Sequence, residues 1–85
     1  MFLLYSIEFT DLAKKQLSKL PRDIQKRIIY ALERIRIRPE SYVSKLVGDS
    51  GYRLRVGDYR VILDIDRSKL IILALKIGHR SSIYN

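Results

Sequence analysis

The chain reads as an α+β domain in which a helical hairpin packs on a small antiparallel sheet, in the order β-α-α-β-β-β. Three observations predict this. Tyr5, Ile7 and Phe9 alternate with Ser6 and Glu8, the period of a half-buried strand. Ile24, Ile28, Ile29, Leu32 and Ile35 recur at helical spacing and draw one apolar face. From Tyr52 onward, short apolar stretches alternate with turn residues, as in a meander. With 85 residues there is length for one core only, so residues 1–85 form a single domain.

After the first strand, Thr10 or Asp11 can cap a helix whose apolar positions include Leu12, Ala13, Leu17 and Leu20. Lys14, Lys15 and Lys19 fall largely on its other side. Pro21 interrupts and suits the first turn of a second helix, where its missing N–H is not needed. That helix carries Arg22, Lys26, Arg27, Arg34 and Arg38 away from its isoleucine face, and Pro39 ends the run. Solvated surface charge is the plainer account of these basic side chains.

Glu40 to Gly51 shows no period and is read as irregular. Tyr52, Leu54 and Val56 then alternate with Arg53 and Arg55. Gly57-Asp58 fits a two-residue hairpin turn, with glycine first as a type II′ turn prefers. Tyr59 to Ile65 is the return strand, and Asp66 to Lys69 makes a second turn. Leu70 to Ile77 is almost continuously apolar, as in a buried central strand.

If Gly57-Asp58 is the whole loop, Val56 faces Tyr59, Arg55 faces Arg60 and Leu54 faces Val61. Arg53, Arg55 and Arg60 then share one side of the sheet, with Leu54, Val56, Tyr59 and Val61 on the other, against the helices. Like charges placed opposite each other destabilise a sheet, so folding gives no reason to gather three arginines there. Phosphate does, because a guanidinium fork binds it bidentately.

Composition points the same way. Seventeen Lys and Arg against nine Asp and Glu give a net charge of +8. A surface of that sign attracts polyanions, nucleic acid above all. The absence of cysteine excludes disulfides and thiolate metal sites, and a single histidine, His79, argues against structural zinc. The apolar start, Met1 to Tyr5, is too short for a signal sequence or a membrane span, which leads us to expect a cytoplasmic protein without a membrane partner.

The last segment, Gly78-His79-Arg80-Ser81-Ser82-Ile83-Tyr84, leaves the central strand and can curl over one end of the sheet. It would bring a further arginine and a tyrosine to the hairpin arginines. An aromatic ring beside a cationic cleft is how unpaired RNA bases are held.

Two segments, Tyr52 to Val61 and Gly78-His79-Arg80 with Ile83-Tyr84, make the whole chain resemble the RelE/ParE toxin superfamily, and its RelE branch in particular. The resemblance implies the toxin of a type II toxin–antitoxin system. Such a toxin is a metal-independent, ribosome-dependent endoribonuclease that needs no cofactor. It cuts mRNA in the ribosomal A site by attack of the 2′-hydroxyl on the adjacent phosphate. Its implied partners are the ribosome, mRNA and an acidic, RelB-like antitoxin. Carried over residue by residue, Arg53 and Arg60 would clamp phosphate, Arg80 would protonate or stabilise the leaving 5′-oxygen, and Tyr84 would stack on a base. Tyr84 stands one residue closer than in the family's usual pattern.

One position departs from the pattern. Where relatives can carry a lysine proposed as general base, this chain has Arg55, and a guanidinium is a poor base at neutral pH. Arg55 is then left to stabilise phosphorane charge. His79 is the remaining candidate proton shuttle, set against a plain structural role. The base stays unassigned. Two other functions fit the same fold: a ParE-like gyrase poison, and a non-catalytic RNA-binding relative.

Overall fold

The computed structural model describes residues 4–83. Strand β1 (Ser6–Phe9) leads into helices α1 (Asp11–Ser18) and α2 (Arg22–Arg34) and a 3-10 turn at Pro39–Ser41. Strands β2 (Ser44–Lys45), β3 (Tyr52–Val56), β4 (Tyr59–Asp66) and β5 (Ile71–His79) follow. They form one sheet in the order β1-β5-β4-β3-β2. The α+β class, the helical hairpin and the antiparallel meander are as the sequence predicts.

Three details differ. β1 runs parallel to β5, so the sheet is mixed. Alternation along a strand fixes its two faces but says nothing about its neighbour or direction. β2 is a two-residue edge strand inside the stretch read as irregular, too short to show a period. β5 continues two residues past Ile77, because Tyr59 and Arg60 pair with His79 and Gly78.

The core lies between the helices and one sheet face. Ala13 of α1 and Ile28 and Leu32 of α2 meet Leu54, Val61, Leu63, Ile72, Ala74 and Ile77, all buried. Ile35 joins them just beyond α2, which closes at Arg34 ahead of Pro39. Ile29, although part of the sequence's isoleucine stripe, stays 45% exposed at the margin of that face.

Of the two candidate caps for α1, Thr10 is the one used: its Oγ1 accepts the Ala13 N–H at 3.1 Å. The same hydroxyl donates to Leu75 O at 2.9 Å. That bond matters because β5 carries an extra residue here. Ile62 pairs with Lys76 while Leu63 pairs with Ala74, so Leu75 bulges out of the ladder. Gln16 supports the other side of the bulge, its Oε1 accepting the Ile77 N–H at 2.7 Å. Two polar side chains at the start and middle of α1 thus satisfy backbone groups that the bulge takes out of register.

Replacing Gln16 with Leu leaves the Ile77 N–H without its acceptor at a partly buried position. The expected loss is roughly 1–3 kcal/mol of stability, the cost of an orphaned donor. Urea unfolding of Gln16→Leu against the wild type reads it, and an unchanged midpoint would show that the bulge does not lean on Gln16.

Candidate functional site

The register is the one the two-residue turn dictates: Val56 faces Tyr59, Arg55 faces Arg60 and Leu54 faces Val61. Arg53 lies opposite Ile62 on β4 and opposite Ser44 on β2. Arg53, Arg55 and Arg60 therefore come together on the face turned away from the helices. With Tyr42 and Ser44 they line a cleft of about 350 Å³. Among the described residues, the lining holds three guanidinium groups and no carboxylate.

Arg60 is tied to its own turn. Its Nη1 donates to Gly57 O and to Tyr59 O, each at 2.9 Å. These bonds hold the side chain in place and leave Nε and Nη2 out of them, the edge of the fork suited to a phosphate. A fourth guanidinium approaches the turn from α2: a Cβ on Gly57 would fall 2.6 Å from Arg27 Nη2.

Arg80 reaches the same turn from the far end of β5. Its N–H donates to Asp58 O at 2.8 Å, and its Nε lies 3.8 Å from Asp58 Oδ1. Both side chains are more than 60% exposed, so this pair is loose, worth about 0–1 kcal/mol. Arg80 is fixed through its backbone and can swing at its guanidinium.

The C-terminal turn folds onto the arginine face. Ser82 and Ile83 both donate their N–H to His79 O at 3.0 Å. Ile83 is 2% exposed yet stands apart from the helix-side core. Its Cδ1 would lie 3.1 Å from a Cβ on Gly78, and Gly78 is the direct neighbour of Arg60. Glycine at 78 thus makes a seat for Ile83 beside Arg60. Tyr84, the expected stacking residue, lies outside the described residues.

His79 goes elsewhere. Its partner across the ladder is Tyr59, whose ring it meets edge-on at 5.4 Å between centroids, on the helix side of the sheet. Its Nδ1 accepts the Ser81 N–H at 3.1 Å and lies 2.8 Å from Ser81 Oγ. A neutral ring bonded this way carries its proton on Nε2. The sheet separates this histidine from the arginine cleft.

Tyr42 is the cleft residue that the sequence does not announce, because it sits in a stretch without period. The structure shows how it is held. Pro39 is buried, and Tyr42 donates its N–H to Pro39 O at 3.1 Å. Glu40 Oε2 pairs with Arg67 Nε at 2.5 Å, and Arg67 Nη2 reaches Tyr52 Oη at 3.4 Å. The Glu40 backbone N–H, helped by Arg67, holds the Glu40 carboxyl below the usual glutamate range against a smaller opposing effect of burial. The Arg34 guanidinium lies over the Tyr42 ring, 5.8 Å from its centroid.

Residues 7–84 match the family described as the ParE toxin of type II toxin–antitoxin system, parDE. Among solved structures, the chain resembles one in the toxin–antitoxin complex RelBE2 of Mycobacterium tuberculosis. The two are 25% identical with a TM-score of 0.84, over 96% of this chain and 98% of that one. A chain of the archaeal RelE–RelB complex from Pyrococcus horikoshii is 27% identical with a TM-score of 0.75, over 93% of this chain and 98% of that one. A mutant of the E. coli toxin RelE in the free state shares the fold at 24% identity and a TM-score of 0.77, covering 95% of this chain and 90% of that one. No curated protein matches the sequence.

The seat of Ile83 can be tested by compensation. Gly78 has no positive φ, so alanine there meets only the Ile83 side chain. Gly78→Ala should cost roughly 1 kcal/mol, the lower end for overpacking, or about 4–8 °C in Tm for a domain of this size. Ile83→Val removes the Cδ1 that the new methyl would strike, so the double variant should recover most of that loss. A double variant that melts no higher than Gly78→Ala would refute the contact.

Proposed function

This chain belongs to the ParE toxin family of type II toxin–antitoxin systems, within the RelE/ParE superfamily, and we propose that it is a ribosome-dependent endoribonuclease acting on mRNA in the cytoplasm. The observation that carries the proposal is the cleft in which Arg53, Arg55 and Arg60 face outward together with an aromatic ring and no carboxylate. Three cationic forks on one sheet face fit successive backbone phosphates of a single strand, and the charge of +8 draws such a strand in.

On this reading the 2′-hydroxyl gives its proton to solvent water and attacks the neighbouring phosphorus, a 2′,3′-cyclic phosphate forms, and the P–O5′ bond breaks, the 5′-oxygen taking a proton from water. Arg53 and Arg60 hold the phosphates, and Arg55 stabilises charge that builds on the non-bridging oxygens. Arg80 does not line the cleft but is tied to the adjoining hairpin turn through Asp58, and on this reading its guanidinium swings in to meet the leaving oxygen. A group that does not give up its proton at neutral pH stabilises that oxygen rather than protonating it. Among the described residues that line the cleft, none is suited to accept the 2′-hydroxyl proton quickly. Positioning by the ribosome would then supply much of the rate.

The family and the solved toxin–antitoxin complexes support an antitoxin partner. An acidic, RelB-like chain would cover basic surface that messenger RNA otherwise occupies. The second reading, a gyrase-directed toxin, is favoured by the ParE description of the matching family. Induction in living cells separates the two: the nuclease reading expects shortened messages before any DNA break, and DNA breaks appearing first would overturn it.

Within the nuclease reading the arginines should divide by role. Arg53→Ala and Arg60→Ala should weaken binding to ribosome–mRNA complexes and flatten its salt dependence. Arg80→Ala should leave that affinity nearly intact and slow single-turnover cleavage by roughly 10²–10³-fold, as for loss of an oxyanion donor. An Arg80→Ala variant that cuts at the wild-type rate once bound would remove Arg80 from the chemistry.

A further inference from the structure

We propose that Tyr42 is a nucleobase platform, holding one unpaired base of the strand whose phosphates the arginines bind. The proposal rests on the reading of the cleft as a single-stranded RNA site and names a subsite within it, separate from any role of Tyr84. Tyr42 is 49% exposed and lines the same cleft as Arg53, Arg55 and Arg60. A phosphate-binding wall with an adjoining aromatic ring is the arrangement that unpaired nucleotides require, since each carries an anion and a π-face.

The ring is also prepared for that role. The buried Pro39 and the Glu40–Arg67 pair fix the 3-10 turn that ends at Tyr42. Ser44, two residues on, pairs with Arg53, so the chain between ring and phosphate site is short and anchored at both ends. Arg34 approaches the ring from α2 and supplies a cation to it. Half of the tyrosine's surface stays exposed beside this contact, and a stacked base meets little ordering cost because the platform is already in place.

Folding gives a weaker account of the same residue. A tyrosine half exposed at the rim is absent from the packed core, and folding covers only about half of its surface. Its truncation should therefore cost less stability than that of a core side chain, and should remove the base contact whatever that cost. A residue present only for structure would, on truncation, change binding of base-bearing and base-free strands alike.

The test uses the free full-length protein, a short single-stranded RNA and an abasic strand of the same length and charge, at low salt. Wild type should bind the base-bearing strand roughly 5- to 150-fold more tightly than the abasic one, the range for stacking one base on an aromatic side chain. Tyr42→Ala should erase that difference without changing affinity for the abasic strand, both measured well below the Tm of either protein. Tyr42→Phe should keep the difference, since stacking needs the ring and not the hydroxyl. Retention of the full difference by Tyr42→Ala, or an equal loss of affinity for both strands, overturns the platform. Wild-type protein that holds the abasic strand yet shows no preference for bases overturns the platform alone. Wild type that binds neither strand overturns the reading of the arginine face as a nucleic-acid site, and the platform with it.

Discussion

Gly57 adopts a φ of +60°, which L side chains rarely take, while Asp58 does not have a positive φ. That combination is the pattern of a type II′ turn, and it joins β3 and β4 through two residues. With the loop length fixed, Arg55 must face Arg60, and Arg53 must share their side of the sheet. A turn one residue longer would carry β4 out of step with β3, sending Arg60 toward the helices and Val61 to solvent. The cationic cleft and the apolar core are thus set by one geometric constraint, and neither can be changed without the other.

The arrangement carries a cost that can be sized. Two unit charges at roughly 7 Å repel by about 0.6 kcal/mol in water and about 2.4 kcal/mol at an effective dielectric of ~20. The carbonyl oxygens of Gly57 and Tyr59, which hold Arg60, offset part of this. A single charge-assisted hydrogen bond to an anion contributes roughly 1.5–3 kcal/mol. Two contacts to one bound strand therefore outweigh the repulsion, and binding also screens the charges from each other. The free face is uncomfortable in a way that a polyanion relieves and added salt only dilutes.

Much of this was legible in the sequence: alternation placed the strands, the isoleucine stripe placed α2, and the glycine-first turn placed the three arginines. What was not legible has physical reasons. The apolar run ending at Ile77 shows no alternation, so it cannot reveal that Leu75 bulges and reverses the faces of every residue after it. Ala74 and Ile77 are both buried, three positions apart, and Lys76 stays out of the core only because of that extra residue. The same shift turns Gly78 toward Arg60 and His79 toward Tyr59. Tyr42 belongs to a segment without period, whose position is set by the buried Pro39 and by a Glu40–Arg67 pair that spans 27 residues of sequence. Ile83 looks like an apolar residue in a polar tail, and only the missing side chain at Gly78 explains its burial.

The bulge therefore reaches into the chemistry. Were β5 a regular strand, His79 would follow Ile71 and Leu73 onto the outer face, within the reach of the arginines. The extra residue, held by Thr10 and Gln16 of the α1 region, sends it to the helix side instead, where Ser81 occupies Nδ1. On the proposed reading the cleft is left with cations that hold phosphate and steady negative charge, and without a neutral nitrogen to take a proton. Such a site accelerates a strand already bent for in-line attack far more than a relaxed one, because electrostatic stabilisation cannot substitute for alignment. On that reading, dependence on the ribosome would have a structural origin: a domain that commits its sheet face to charge would have to receive its substrate in a shape that something else has imposed.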